Sequence, residues 1–176
     1  MLKINLLAAS VIYAAGFFNY SLLSFYIKYF PGNVLENSAI YACSDLLAMI
    51  LIGVALSVTS MQNGVRYASA LAFTGGMFYL FLSASTNLIP YMLCLARFGQ
   101  TMQYRLTIVS VSRLFPTQYV TKAYGFCNFM AHVVACLAPF IAEFSNPIPF
   151  IVFNSMLVII FLASFKMTYV EQISTG

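Results

Sequence analysis

Charge is what this sequence has least of. Eight Lys and Arg with four Asp and Glu amount to 7% of 176 residues, where a soluble domain carries about 25%. So few charges cannot cover the surface of a water-soluble globule. Tryptophan is absent and histidine occurs once, as His132, so no multi-histidine metal site can be built. Cys43, Cys94, Cys127 and Cys136 lie in apolar runs with neither CxxC pairing nor metal-site spacing; they read as reduced packing residues. There is no GxSxG elbow, phosphate loop or pair of closely spaced acids. An intramembrane serine protease would need a nucleophile paired with His132, and no serine is marked out for it. The basic residues are scattered singly, which excludes a nucleic-acid patch. An enzyme is not expected, and no cofactor or metal is called for.

What is present is apolar: 62% of the chain is hydrophobic. An all-α membrane protein follows, with the lipid bilayer as its first partner and no room for an aqueous domain. Apolar segments run over 6–27, 38–59, 67–84, 89–114, 123–144 and 148–165, each able to cross about 30 Å of hydrocarbon. They predict six transmembrane helices in one unit, 1–176. The first run is too long for a signal-peptide h-region and is read as a span without cleavage. Turn residues separate the runs: "FPGN" at 30–33, "MQNG" at 61–64, "STN" at 85–87, "FPTQ" at 115–118 and "SNPIP" at 145–149. With the N-terminus inside, Lys3, Arg66, Arg113, Lys122 and Lys166 fall on the cytoplasmic side and Lys28 on the outer side. That distribution favours cytoplasmic termini at both ends.

Polar residues inside the spans need a reason, because a charge at the bilayer centre costs about 2.5–3.5 kcal/mol even on insertion scales. They are Asn19, Asp45, Arg97, Arg105, Asn128, His132 and Asn154. Asp45 follows Tyr41 by one helical turn, so the two share a face; a substrate cation, a proton or Arg105 could each be its partner. Arg105 is too deep in its span to snorkel easily. Arg97 is read as structural, reaching outward or toward a carbonyl. Asn128 and His132 share a face one turn apart, and an unperturbed pKa near 6.5 lets His132 change charge near neutrality. Packing against a neighbouring helix is the other reading of that histidine. Gly75 and Gly76, among small neighbours, permit close helix contact.

Three stretches carry a resemblance. "FNYSLLSFYIKYFPGNVLENSAIYACSDLLAMIL" is similar to the seventh and eighth spans of the organic cation/anion/zwitterion branch of the major facilitator superfamily, with Asn37 and Asp45 at the family spacing. "ARFGQTMQYRLTIVSVSRLFPT" resembles the family's "GKFG" and "TAELYPT" segment, with Arg113 in place of the usual glutamate and Val120 in place of the usual arginine. Counting back from Pro139 in "LAPFI", His132 falls where anion transporters of this branch carry Arg and cation transporters Asp. The loop "SMQNGVRYAS" resembles a degraded "DRxGRR" loop that keeps Gly64 and Arg66 but has Met61 for the acid. The resemblance implies the C-terminal six-helix half of the major facilitator fold. It further implies a secondary transporter of small organic ions working by alternating access, paired with an N-terminal half or with itself. Asp45, Arg105 and His132 would set the charge of its cavity. Asn19, Tyr41 and Asn128 would supply hydrogen bonds, and Phe17, Phe18 and Tyr20 aromatic walls. Asp45 favours a cation, Arg105 an anion, and His132 either. The alternative is a truncated or accessory multi-pass protein without transport of its own.

Overall fold

A computed structural model describes residues 2–30, 33–82 and 89–167, and the regular structure among them is helical. The order is α1 (Leu2–Tyr26), a 3-10 turn (Ile27–Tyr29), α2 (Val34–Val58), α3 (Met61–Leu82), α4 (Ile89–Leu114), α5 (Thr117–Ala135), α6 (Ala138–Ala142) and α7 (Ile148–Ser164). Pro31 and Gly32 of the first expected turn, and the turn at 85–87, lie outside the described residues.

Helix α1 occupies the middle of the bundle, packing on α4, α5, α6 and α7. Its Ile12, Phe18, Leu22 and Leu23 are buried together with Phe150, Phe153 and Leu157 of α7. Helices α3 and α4 meet closely because their contact is built from the smallest residues. A Cβ added to Gly75 would lie 2.5 Å from the Ala96 backbone nitrogen, and one added to Gly99 would lie 2.5 Å from that of Ala72. This reciprocal pairing is antiparallel and realises the expected close contact at Gly75; Gly76 instead makes room for Asn154.

Other contacts fix the remaining directions. Tyr13 meets Tyr124 and Phe17 meets His132, so α1 and α5 run together. Gln62 bonds the Ser164 carbonyl while Tyr79 stacks on Phe150, so α3 and α7 are antiparallel. Lys3, Arg66, Arg113, Lys122 and Lys166 therefore collect at one end of the bundle. At the other end Lys28 bridges Glu143 at 2.6 Å, and the Tyr29 hydroxyl also donates to that carboxylate.

The helices differ in two respects from one another and from the uninterrupted stretches expected from the sequence. Among the described residues, three helical stretches are long and apolar enough to cross a membrane: Lys3–Tyr29, Val34–Val58 and Thr117–Ala142. Helices α3 and α4 have the length but carry more polar residues, and α7 is shorter at 17 residues. The fifth stretch, expected as one helix over 123–144, is broken between α5 and α6. Pro139 lacks an N–H and its ring would collide with the Ala135 carbonyl, so the helix ends there and restarts with proline in its first turn.

Outside the core, α2 presents Leu46, Leu47, Ile50, Leu51, Val54 and Val58. A run of apolar side chains this long on an open surface suits lipid rather than water.

Candidate functional site

Helix α4 carries the polar spine of the bundle, and its periodicity divides the polar side chains between two neighbours. Gln100, Gln103 and Thr107 are fully buried toward α1. The Gln100 amide donates to the Gly16 carbonyl at 2.8 Å and to Gln103 at 3.2 Å, and Gln103 donates to Thr107 at 3.0 Å. Arg97 and Thr101, one turn apart, point instead toward α2.

There the Arg97 guanidinium grips Asp45 with two bonds of 2.9 Å, from Nε to Oδ1 and from Nη2 to Oδ2. Thr101 donates to Oδ1 at 2.6 Å, and the Tyr20 hydroxyl donates to Oδ2 at 3.3 Å. Arg97 Nη1 completes the cluster by donating to Ser24 Oγ at 2.9 Å and to the Tyr20 carbonyl at 3.1 Å. The guanidinium carbon lies 3.9 Å from the Tyr20 ring centre and 5.3 Å from that of Tyr41. The planar fork is thus used on both its edges and its face. Side-chain exposure is 5% for Arg97 and 18% for Asp45, so the pair is sheltered from solvent.

The partner of Asp45 is thus Arg97, which was not among the three left open by the sequence, a substrate cation, a proton or Arg105. Arg97, read from the sequence as a structural residue reaching a carbonyl, does reach one, but its main partner is the carboxylate. Arg105 lies two turns further along α4 and has no acid at salt-bridge distance among the described residues. Its Nε is buried without a hydrogen-bond partner.

Helix α5 supplies the second half of the site and has three faces. Ala123, Cys127 and Ala131 form its buried stripe. Phe126, Phe129 and Val133 form an exposed apolar face. On the third face, Tyr124, Asn128 and His132 succeed one another turn by turn, with Asn128 half-buried and the other two exposed. The His132 ring packs edge-on against Phe17 at 4.7 Å. Phe17 in turn meets Tyr104 of α4 at 5.6 Å, and Tyr104 contacts Tyr13 and stacks on Tyr20, each at 5.7 Å. Tyr13 donates toward Tyr124 at 3.3 Å and Asn128 at 3.5 Å. A continuous strip of rings therefore leads from His132 to the Asp45–Arg97 pair.

The remaining expected residues separate. Asn19 is fully buried on the opposite side of α1 and donates to the Phe153 carbonyl of α7 at 3.0 Å, which makes it an interhelical tie away from the strip. Tyr41 is buried beside Arg97, its hydroxyl without a partner. Of the expected aromatic walls, Phe17 and Tyr20 line the strip, whereas Phe18 is in the core. Sequence reasoning missed Thr101 and Tyr104. Their signal was the recurrence of polar groups at 97, 101, 104 and 105 on one side of α4. No model of a known protein family matches the chain, and no curated protein matches it.

Proposed function

We propose that this chain is a membrane transporter bundle whose polar and aromatic strip, open at Tyr124 and His132, lines a route for a small organic anion. The observation that carries the reading is the divided surface of α5: an apolar face suited to lipid beside a face of Tyr124, Asn128 and His132 that lipid would leave unsatisfied. The helical rods, three of them long and apolar enough to cross a membrane, are compatible with the six-helix half of the major facilitator fold that the sequence resembles. Both termini would then lie at the basic, cytoplasmic end. In that fold the strip faces a second six-helix bundle, either a companion half or another copy, across a substrate cavity.

The charge balance of the strip supports an anion. Asp45 is neutralised by Arg97 and further bonded by Thr101 and Tyr20, so it has little to offer a cation. Arg105 keeps an unanswered donor at depth, and His132 adds positive charge when protonated. The tyrosine rings of the strip supply flat apolar contact for the organic part of the solute.

The test is uptake of labelled organic anions and cations by proteoliposomes, with Arg105→Gln and His132→Ala. Saturable anion uptake that falls at least tenfold in Arg105→Gln and changes its pH dependence in His132→Ala supports the reading. Cation uptake would overturn the charge assignment. A flat trace from folded protein, alone and with a companion bundle, would overturn transport itself.

A further inference from the structure

A second feature lies at the basic end of the bundle, on the lipid-facing side of α5 and away from the ring strip. Between the first turns of α1 and α5 and the end of α4, a cleft of about 380 Å³ is lined by Leu6, Phe115, Tyr119 and Phe126, with Lys3 and Lys122 among its walls. Both lysines are exposed. They come from helix starts that lie at the same end of the bundle, because α1 and α5 run together.

We propose that this cleft binds an anionic phospholipid of the adjacent leaflet, its phosphate held by Lys3 and Lys122 and the start of an acyl chain laid over Leu6, Phe115 and Phe126. Charge complementarity selects this occupant. Ammonium groups on one rim and aromatic and aliphatic walls below them match the two ends of such a lipid, and basic pockets between helices at the membrane surface bind acidic head groups. A comparison is built into the molecule. The groove of about 260 Å³ between α3 and α7, lined by Ala70, Phe73, Leu157, Val158 and Phe161 among others, has no charged residue. It should take lipid without regard to head group.

The absence of tryptophan makes the test direct. Phe126→Trp places a single fluorophore in the basic cleft, and Phe161→Trp places one in the uncharged groove. The full chain carrying either change is reconstituted in phosphatidylcholine bilayers with increasing brominated phosphatidylglycerol, and its quenching is compared with that by brominated phosphatidylcholine. At Phe126→Trp the anionic lipid should be preferred on the order of 25-fold, falling on the order of fivefold for each lysine replaced in Lys3→Gln and Lys122→Gln. The preference should shrink as salt rises, and Phe161→Trp should show none. Soluble glycerol phosphate at millimolar concentration should not displace the lipid; displacement would identify a free-phosphate site and overturn the proposal. Equal quenching by both lipids at Phe126→Trp, or a preference that survives loss of both lysines, would also overturn it. So would a fluorophore at position 126 that neither lipid quenches, since protein would then cover the cleft.

Discussion

Replacing Arg97 with Gln should be among the most damaging single changes in this chain. The substitution removes both 2.9 Å bonds to Asp45, the bonds to Ser24 and the Tyr20 carbonyl, and the guanidinium packed on the Tyr20 ring. It leaves a carboxylate sheltered on α2 with only Thr101 and Tyr20 as donors. Removing one partner of a buried pair costs about 3–5 kcal/mol, because the other charge is stranded. Asp45 keeps 18% exposure, so the low end applies, roughly 3 kcal/mol. For a chain of this size that is a fall in Tm of roughly 6–12 °C, measurable by thermal unfolding in detergent. Asp45→Asn should fall similarly, since it strands the guanidinium. The double variant, with neither charge left, should lose much less than the sum of the two. Strict additivity of the single losses would refute the pairing as the source of the effect.

Other consequences can be checked in the same assay. Gly75→Val and Gly99→Val should each separate α3 from α4 and cost at least about 1–3 kcal/mol, because a Cβ at either site meets backbone at 2.5 Å. Gly53→Ala and Gly125→Ala, helical sites with nothing within 4 Å of the added carbon, should be neutral or gain up to about 1 kcal/mol. The Glu143 carboxyl is held below its usual range by the hydrogen bond from Lys28 and, next, that from Tyr29. A lowered folded-state value means that its contribution is present above the ordinary glutamate value and lost as pH falls through the lowered one. Glu143→Gln should therefore differ slightly from the parent at neutral pH and converge with it in acid; a gap that widens in acid would contradict the assignment.

Some of this was legible in the sequence. The lack of charge and the length of the apolar runs point to helices in a bilayer, and the glycine and alanine pattern around Gly75 marks a close crossing. The partner of Asp45 was not legible, because it depends on the axial register of α2 against α4. Arg97 and Arg105 are two turns, about 12 Å, apart on the same helix, and hydropathy weighs each buried charge alone. Asn19 was hidden for a different reason. Helix α1 is covered on most sides, so no amphipathic pattern tells which polar residue turns toward α7 and which toward α5. The break at Pro139 could have been read from proline chemistry, but the apolar run continues through it, and hydropathy does not register an interrupted backbone.

The central claim is that one face of α5 meets water at membrane depth while the adjacent face meets lipid. In a variant lacking Cys43, Cys94, Cys127 and Cys136, single cysteines at His132, Asn128 and Phe129 can be tested in intact bilayers with a charged, membrane-impermeant thiol reagent. The account predicts that His132→Cys and Asn128→Cys react while Phe129→Cys, though more open in the isolated bundle than Asn128, stays protected by lipid. Equal protection at all three positions in folded protein, or reaction at Phe129→Cys alone, would contradict it.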